Sequence, residues 1–395
     1  MDILSIIGRT KELFSSDLQF MEDELKNIVV SSRFLVVGGA GSIGQNVVYE
    51  IFKRNPKVLH VVDISENNLA ELVREIRSSL AYGSGEFATF AIDSNSPEFK
   101  ALFGSQNSYD YVLNLSALKH VRSEADPFTL MRMTDVNIFN ALKILDLCKT
   151  HQVKNYFCVS SDKASNPVNL MGASKRIMEM FLAKEKSSIN VTKARFANVA
   201  FSDGSLLHGF QRRVLKSQPI TAPTDILRYF ITPKEAGELC LITSIFGKSD
   251  QIYIPKLTDE LKLISFEEIA RRFIQQLGFD TFECSSEDEA RGRCTELIQQ
   301  KKWPCYFFKS DTTGEKPFEE FHTSAENVTP SNFDSINIIN EKLHVEHEVL
   351  DYFKEEIKRL RESRAWSKHD ILKLYKTVLV DFNHLDTGKY LNQRM

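Results

Sequence analysis

One short stretch limits the possible folds of this chain more than any other. The apolar run Phe34 to Val37 leads directly into the string GGAGSIG, and a helical stretch follows from Gln45 to Arg54. Gly38, Gly41 and Gly44 stand where such a unit needs a tight turn, close approach of a pyrophosphate, and packing of helix on strand. The start of the helix adds amide donors and the positive end of its dipole. The stretch therefore predicts a dinucleotide site at the end of a parallel strand.

Further apolar runs alternate with helical stretches through the first half of the chain. Predicted strands end at Asp63 and cover 87–93, 111–117 and 155–161. Predicted helices between them run from Asn67 to Ser78 and from Phe128 to Lys149. Continuously apolar strands that alternate with helices are typical of a parallel sheet covered on both faces. We therefore predict an α/β fold with a doubly wound parallel sheet of the Rossmann type.

The pattern divides the chain into four predicted parts. These are an N-terminal helical segment (1–32), a dinucleotide-binding domain with the catalytic segment (33–200), a smaller, mainly substrate-binding domain (201–330) and a C-terminal helical extension (331–395). The two terminal segments carry apolar stripes of helical spacing, which predict core or subunit contacts, so we expect at least a dimer.

Finer signals predict where some elements begin. Ser16 is a candidate N-cap in the first segment, and Ser367 with Asp370 forms a pair like a capping box that opens the last helix. Residues 284–321 are polar and rich in turns, with TTGEK as the most marked turn.

Composition excludes several classes of protein. With 42% hydrophobic and 26% charged residues, the chain of 395 residues is globular rather than disordered or fibrous. A formal net charge of -3 argues against a general binder of nucleic acid or anionic membranes. No targeting segment and no apolar run near the ~20 residues that span a bilayer is visible, so we expect a soluble, cytoplasmic protein. The six cysteines contain no CxxC pair, which favours buried free thiols over disulfides or zinc, and no metal is expected.

An acidic residue at the end of the second strand indicates which dinucleotide binds. Asp63 lies 19 residues after Gly44, where a carboxylate accepts hydrogen bonds from a ribose diol and repels a 2′-phosphate. No arginine follows it directly, so NAD is favoured, with NADP as the alternative. Asp93 is predicted to end the third strand, where contact with the adenine and a capping or turn role are equally open. The other predicted cofactor contacts are Ser42, Ile43, Ala117 and Lys175.

The string VSSDKASNPVNLMGASKRIMEMF (159–181) places polar side chains at the end of another strand. This strand brings residues 160–163, Ser-Ser-Asp-Lys, to the edge where an open α/β sheet has its ligand crevice. The helix that follows presents Met171 and Lys175 one turn apart. The segment therefore predicts an active site.

This spacing resembles the extended short-chain dehydrogenase/reductase superfamily, whose active sites contain Ser or Thr and then Tyr-x-x-x-Lys. More closely, the chain resembles the bacterial UDP-N-acetylglucosamine 4,6-dehydratases of capsule, O-antigen and protein-glycan biosynthesis. The matching strings are GGAGSIG, ALKHVRSEADPF, SSDKASNPVNLMGASKR, and RFANVAFSDGSL with LRYFITPKEA. The resemblance spans about residues 33–260, and TTGEKPFEEF (312–321) extends it weakly. It implies oxidation of the C4 hydroxyl of a UDP-sugar by NAD(P)+, loss of water across C5 and C6, and return of the hydride to C6.

The resemblance also implies roles for the residues of the catalytic segment. Ser161 would hydrogen-bond the C4 oxygen, and Lys175 would bind the nicotinamide ribose. Once C4 is a ketone, elimination needs a base for H5 and an acid for the C6 hydroxyl. Asp162 and Lys163 would form that pair, in either assignment. Lys163 can act as the base if burial and Lys119 lower its pKa, and Asp162 can act as the acid if an apolar pocket keeps it neutral.

The tyrosine of the superfamily is missing from this chain. Met171 stands in its place, and methionine neither accepts nor donates a proton at C4. Some members of the dehydratase group also carry methionine here, so activity is still expected. The base for the C4 hydroxyl is open among Asp162, Lys163 and a water held by Lys175, and loss of catalysis is the alternative.

Three residues are predicted to bind the substrate. The resemblance places Asn198 at the nucleotide diphosphate. Arg228 is a candidate phosphate clamp because its planar fork matches phosphate oxygens, with a surface salt bridge as its alternative role. Lys119 is the third, with a merely solvated lysine as its alternative. The neighbouring His120 is interpreted as a packed structural residue.

Two departures from the family pattern concern the sugar and uridine side. Thr313 stands before GEK, where relatives often carry arginine, and Ala197 stands where glycine is usual, so the sugar preference is open. The leading hypothesis is an NAD-dependent UDP-N-acetylglucosamine 4,6-dehydratase. Its rivals are a nucleotide-sugar 4-epimerase, which needs no elimination pair, and a non-catalytic NAD-binding interaction protein, which Met171 favours.

Overall fold

Two faces of one strand explain the layered arrangement of the chain. A computed structural model describes residues 1–80, 82–105, 108–185, 189–340 and 346–390. In its strand at 33–37, Phe34 and Val36 pack into one apolar core, whereas Leu35 and Val37 pack into another on the opposite face. Because successive side chains of a strand point to opposite faces, a continuously apolar strand needs such a cover on both sides.

The strands are β1 (Arg33–Val37), β2 (Val58–Asp63), β3 (Glu86–Ala91), β4 (Tyr111–Asn114), β5 (Asn155–Ser161), β6 (Asn190–Phe196), β7 (Asn198–Val199), β8 (Ile220–Pro223), β9 (Leu227–Arg228), β10 (Phe230–Ile231), β11 (Gln251–Pro255), β12 (Ile264–Ser265), β13 (Asp280–Glu283), β14 (Lys302–Phe308), β15 (Asn327–Pro330) and β16 (Ile336–Asn340). The helices are α1 (Ile3–Ile6), α2 (Ser15–Ser31), α3 (Ser42–Phe52), α4 (Glu66–Ser79), α5 (Pro97–Ser105), α6 (Pro127–Thr134), α7 (Ala141–Thr150), α8 (Leu170–Lys184), α9 (Leu206–Leu215), α10 (Pro233–Phe246), α11 (Phe266–Gln276), α12 (Glu287–Gly292), α13 (Cys294–Gln299), α14 (His347–Ser363) and α15 (Lys368–Val378). Short 3₁₀ turns lie at Val121–Glu124 and Asp162–Ala164, and a π turn lies at Asp135–Asn140.

The main sheet of the described residues has nine strands in the order β15-β16-β11-β6-β5-β4-β1-β2-β3. The strands from β11 to β3 in this order pair in parallel, and β16 pairs antiparallel with β11 and β15. The chain moves outward from β1 to β3 and then returns to β4 on the other side of β1. Such a reversal creates a crevice at the carboxyl ends of β1 and β4, where ligands bind in open α/β sheets. The predicted doubly wound α/β fold is confirmed.

The terminal helices pack against the core of their own chain. Leu18 and Leu25 of α2 lie in the core on one face of the sheet, and Phe353 of α14 and Tyr375 of α15 lie in the core on the other. The stripes that predicted subunit contacts are therefore buried within one chain. The oligomeric state stays a prediction, and these apolar stripes no longer support it.

A second, smaller sheet lies outside the main one, with strand order β13-β14-β8. Its core joins Phe210 of α9, Phe273 of α11 and Trp303 of β14. The polar stretch 284–321 contains α12, α13 and β14, and the short apolar run of β14 forms the middle strand of this sheet. The segment 331–395 is not helical throughout, since β16 joins the main sheet.

Other local predictions have mixed outcomes. The capping box of Ser367 and Asp370 is confirmed. Ser16 is not the N-cap, because α2 already begins at Ser15, after the fully buried Phe14. The helix predicted over 128–149 contains the π turn, where the side chain of Asn137 pairs with the backbone N–H and C=O of Leu118.

Two further findings concern the chain as a whole. All six cysteines are buried free thiols. Among the residues that the structure describes, no helix has the length and apolarity to cross a bilayer, and no group of three or more His, Cys, Asp or Glu side chains could hold a metal.

Candidate active site

The glycine turn between β1 and α3 depends on the absence of side chains for different reasons at each position. Gly38 has a φ of 75°, and a Cβ there would lie 2.7 Å from the backbone nitrogen of Ser116. At Gly44 a Cβ would lie 2.2 Å from the carbonyl oxygen of Gly38, so this glycine lets α3 pack against the turn. Above Gly41 a Cβ would meet only that same oxygen, at 3.6 Å. The space above Gly41 is therefore open to a ligand.

An outer cleft of about 410 Å³ lies over the ends of β1 to β4 and is lined by Gly38, Gly41, Asp63, Asp93 and Ala117, among others. The carboxylate of Asp63 accepts hydrogen bonds from the backbone N–H of Ala40 at 3.0 Å and of Ser65 at 2.9 Å. It therefore anchors the glycine turn and still has lone pairs for a hydroxyl. Since β3 ends at Ala91, Asp93 lies in the following loop, where its side chain accepts from the N–H of Asn95 at 2.9 Å in a turn.

An inner cleft of about 460 Å³ lies over β4 to β6. It shares Gly38, Gly41 and Ala117 with the outer cleft and adds the predicted Ser42 and Ile43. The two clefts thus adjoin across the crevice between β1 and β4. Together they form one groove that runs from Asp63 to the catalytic segment.

The turn after β5 gathers hydrogen bonds on one oxygen of a buried carboxylate. Asp162 is 2% exposed, and its Oδ1 accepts from the Ser161 hydroxyl at 2.9 Å and from the Lys163 backbone N–H at 2.8 Å. The Lys163 Nζ lies 3.2 Å from the same oxygen. Asp162 Oδ2 is buried and has no hydrogen-bond partner. The fold thus holds one oxygen and leaves the other for a ligand or water.

A second buried polar atom without a partner lies beside it. Lys163 Nζ donates to Asn198 Oδ1 at 3.4 Å, while Asn198 Nδ2 is left without a partner. The Lys163 amine thus lies between an unpaired buried acceptor, Asp162 Oδ2, and an unpaired buried donor, Asn198 Nδ2. Burying such atoms is costly unless a ligand or water satisfies them. Because Asp162 and Asn198 both line the inner cleft, these two atoms are available to a polar ligand.

Helix α8 lies close against this turn. A Cβ at Gly172 would lie 2.4 Å from the carbonyl oxygen of Lys163, so only glycine permits the observed approach. Met171 and Lys175 are both buried and both line the inner cleft. Lys175 Nζ donates to the carbonyl of Val159 at 2.9 Å, and burial lowers the pKa of Lys175, an effect that Cys158 and Glu179 oppose. The methionine offers an apolar thioether where the superfamily has a phenol.

Lys119 and His120 line the same cleft from the loop after β4. The side chain of Lys119 is exposed, yet the surrounding protein desolvates its amine and lowers its pKa, while Asp203 opposes this shift. Burial lowers the pKa of His120, and the cations Lys119 and Arg122 add to that effect. The His120 ring also packs on Gly204, where a Cβ would lie 2.7 Å from it.

Arg228 is the one predicted site residue that is absent from the described lining of both clefts. It is 3% exposed, and its Nη1 donates to the carbonyls of Leu227 at 2.8 Å and Lys316 at 2.9 Å. Its Nη2 lies 3.8 Å from Glu319. The guanidinium therefore holds residues 315–319 in place. Its burial rules out a surface salt bridge, and its role as a phosphate clamp stays a prediction.

The two departures from the family pattern occupy different surroundings. Ala197 lines the inner cleft. Thr313 is buried, and its hydroxyl lies 3.2 Å from Asp386 Oδ1 and 3.2 Å from the Thr387 hydroxyl. The C-terminal part of the chain thus contacts the turn where relatives often carry arginine.

Sequence reasoning missed a buried ionic network beneath the site. Arg195 of β6 is fully buried, with Nε and Nη2 donating to Glu179 of α8 at 2.8 and 2.7 Å and Nη1 donating to Glu326 at 2.9 Å. Burial favours a higher pKa for Glu326, but Arg195 and Arg176 lower it to about 2. The Ser160 hydroxyl also donates to Glu179, at 2.5 Å. A charged residue inside an apolar strand was the available signal, since a buried charge needs a partner.

Comparison with known proteins adds a family match. The profile of the family described as polysaccharide biosynthesis protein matches residues 34–341, well over half of the chain. An uncharacterized membrane protein of Methanocaldococcus jannaschii is 30% identical over 64% of this chain and 76% of its own length. The capsular polysaccharide biosynthesis protein CapD of Staphylococcus aureus is 27% identical over 70% of this chain but only 45% of its own length. An inverting UDP-N-acetylglucosamine 4,6-dehydratase of Campylobacter jejuni is 29% identical over 56% of this chain and 66% of its own.

Solved structures with the same fold are more distant in sequence. The X-ray structure of Pen from Bacillus thuringiensis superposes with a TM-score of 0.65 at 24% identity, over 80% of this chain and 89% of its own. A UDP-glucose 4-epimerase of Thermotoga maritima gives a TM-score of 0.53 at 16% identity, over 74% of this chain and 90% of its own. At these identities the likeness shows the shared α/β fold alone.

Proposed function

Since the chain belongs to the family of polysaccharide biosynthesis proteins, within the extended short-chain dehydrogenase/reductases, we propose that it is a nucleotide-sugar 4,6-dehydratase. One observation carries the proposal. The Asp162–Lys163 pair lies at the inner end of the groove, with Asp162 Oδ2 and Asn198 Nδ2 unsatisfied in its wall. A reaction that must remove one proton and supply another needs such a pair.

The outer half of the groove fits NAD. The open space above Gly41 would admit the pyrophosphate, and Asp63 retains lone pairs for a ribose diol. Ser42, Ile43 and Ala117 would complete this contact, with Lys175 at the nicotinamide ribose. When bound, NAD+ supplies the acceptor for the C4 hydride. NADP is the alternative, and its retention by the purified protein would contradict the assignment to NAD.

The inner half supplies the groups for the elimination. Ser161 would hydrogen-bond the C4 oxygen of the sugar. Of Asp162 and Lys163, one would take the proton from C5 and the other would protonate the leaving C6 hydroxyl. Their charged groups are 3.2 Å apart, so a proton gained by one is readily shared with the other. Met171 contributes no proton transfer, and the base for the C4 hydroxyl is one of this pair or a water held by Lys175.

We propose UDP-N-acetylglucosamine as the substrate, supported by the name of the Campylobacter relative. Lys119 and Asn198 line the inner cleft and would contact this substrate. Arg228 would clamp its phosphate, as the sequence predicts, or act by holding residues 315–319. Relatives also include UDP-glucose 4-epimerases, which makes a 4-epimerase the second candidate. The Asp162–Lys163 pair favours dehydration, because epimerisation at C4 removes no proton from C5.

One experiment separates these candidates from a non-catalytic NAD-binding protein. Purified protein is incubated with UDP-N-acetylglucosamine and NAD+ and followed by proton NMR. Dehydration replaces the C6 methylene signals with a methyl doublet, and epimerisation gives UDP-N-acetylgalactosamine. Absence of any change contradicts both enzymes and supports the interaction protein.

Assembly and location are further proposals. We propose a homo-oligomer of at least two chains in the cytoplasm, without nucleic-acid or membrane partners. Light scattering at micromolar concentration tests the first part, and a monomer mass contradicts it.

A further inference from the structure

The amine of Lys163 lies among three oxygens that come from separate parts of the chain. Asp162 Oδ1 is 3.2 Å from Nζ, Asn198 Oδ1 is 3.4 Å away, and Glu319 Oε1 is 4.0 Å away. The first two follow the ends of β5 and β6. Glu319 comes from the irregular segment 309–326, far along the chain. Its carboxylate is 2% exposed, so the fold has brought a second buried negative charge to this lysine.

The position of Glu319 is secured by cations on its other sides. Arg228 Nη2 lies 3.8 Å from Oε1, and Lys316 Nζ lies 3.2 Å from Oε2. Arg228 also binds the backbone carbonyl of Lys316, so the same guanidinium fixes both the segment and its carboxylate. A buried carboxylate is tolerated only where opposite charges and hydrogen bonds compensate it. The contact with Lys316 is an ion pair only, since Glu319 Oε2 has no hydrogen-bond partner. Arg228 and Lys316 therefore place the Glu319 carboxylate by charge, independently of any ligand.

The two carboxylates next to Lys163 have different surroundings. Asp162 lines the inner cleft and is proposed to exchange a proton during the reaction, so its charge changes. Glu319 is absent from the described lining of both clefts and is not proposed to exchange a proton. The other charged or titratable groups that face this cleft are Lys119, His120, Lys175 and Asp203.

We propose that Glu319 is a positioning residue, the constant counter-ion that holds the Lys163 amine at the cleft and sets the pH at which this amine gives up its proton. The charge relation, meaning the effect of the Glu319 carboxylate on the Lys163 amine, is inferred from geometry alone. Its effect on catalysis rests on the proposed dehydratase function. An opposite charge within about 4–6 Å favours the charged form of a group. Removal of the Glu319 charge therefore makes Lys163 deprotonate at lower pH.

The test compares Glu319→Gln with Glu320→Gln. Glu320 is the adjacent carboxylate, but it is exposed and accepts from Asn166 Nδ2 at 2.8 Å. Acylation of Lys163 by a small amine-reactive reagent is followed against pH by peptide mass spectrometry, which needs no turnover. We expect the midpoint to fall by about 1 pH unit or more in Glu319→Gln and to stay at the wild-type value in Glu320→Gln. An unchanged midpoint in folded Glu319→Gln overturns the proposal.

If circular dichroism shows that Glu319→Gln does not fold, a second variant still tests the proposal. Lys316→Gln removes a cation from the far side of Glu319, so the midpoint of Lys163 should rise. A fall, or no change, contradicts the proposed charge relation.

Kinetics then separate this proposal from the proposed function. In Glu319→Gln we expect the limb of the pH–kcat profile that Lys163 sets to shift to lower pH with little change in KM. This is the ascending limb if Lys163 is the base and the descending limb if it is the acid. A raised KM with an unmoved limb would mean that Glu319 contacts the substrate, which overturns its positioning role. A wild-type protein without dehydratase activity removes the proposed function, while the acylation midpoints still decide the charge relation.

Discussion

The two halves of the groove are built in different ways. The outer half uses the glycine turn and Asp63, which lie close together in sequence and act largely through backbone geometry. The inner half brings together Lys163, Asn198 and Glu319 from three distant segments and acts through charge. A site for a common cofactor can thus be formed by one strand–helix–strand unit, whereas a site for proton transfer depends on the packing of the whole chain.

The difference extends to what supports each half. Beneath the inner half, Arg195 is fully buried between Glu179 and Glu326, and Glu179 also binds Ser160 of the catalytic strand. Buried ion pairs are costly to form and still more costly to break on one side. Changes to the inner half should therefore affect catalysis or folding strongly, and changes to the outer half should affect mainly cofactor affinity.

The largest effect is expected at Lys163. If this lysine is the base for H5, Lys163→Met should oxidise C4 but stall before water leaves, because loss of a general base typically costs about 10²–10⁴-fold. Reduced nicotinamide, detected by its absorbance, should then accumulate in a single turnover. Little deuterium should be taken up at C5 from heavy water. Wild type should show little of this absorbance at steady state.

Two results would change that assignment. Product formation at the wild-type rate by Lys163→Met would remove the lysine from the mechanism. A variant that never forms reduced nicotinamide would move Lys163 to the C4 step, in place of the tyrosine that Met171 replaces.

The next effect concerns the network beneath the inner half. The pKa of Glu326 is lowered to about 2 in the folded protein from an ordinary 4.5, so its contribution to the free energy of unfolding is complete above pH 4.5 and is lost as the pH falls toward 2. Glu326→Gln should lose about 3 kcal/mol at pH 7. Urea denaturation should show the difference from wild type shrinking below pH 4.5. The exposed Glu24→Gln is the control, and a loss at Glu326 that does not depend on pH would contradict the ionic explanation.

In the outer half, Gly44→Ala tests whether packing alone shapes the turn. The added Cβ would lie 2.2 Å from the Gly38 carbonyl oxygen and 2.6 Å from Gly39 Cα. Overpacking of this kind costs about 1–3 kcal/mol, so we expect a lower Tm and weaker NAD binding. At Gly292 a Cβ meets no atom within 4 Å, so Gly292→Ala should leave both quantities at or above wild type. Equal behaviour of the two variants would contradict the close approach at Gly44.

The smallest effect is expected at Asp63. Asp63→Ala removes the acceptor for two backbone amides and for the ribose diol, so NAD affinity should fall by about tenfold. Titration calorimetry with NAD+ and NADP+ measures this change. Glu24→Gln is the control, since Glu24 is exposed and absent from the described lining of both clefts. An equal loss of NAD affinity in both variants would mean that Asp63 does not bind the ribose.

The doubly wound sheet, the glycine turn and the position of the Asp162–Lys163 turn were predictable from the sequence. Each depends on residues that are neighbours in the chain, where strand and helix periods and turn geometry leave few alternatives. Ser16 was wrong as an N-cap, because the prediction did not take the buried Phe14 into account. The contacts of Arg228 with the carbonyls of a distant segment were not predictable from the local pattern.

Only the tertiary structure decided which charges meet. Nothing in the local pattern around Glu319 or Glu326 pairs them with Lys163 or Arg195, because these pairs form only when residues 309–326 fold back over α8 and β6. A hydrophobic pattern states which side of a strand or helix is buried, and so it defines the layers of the fold. It does not state which distant charge compensates a buried one, and that pairing determines the chemistry of the inner site.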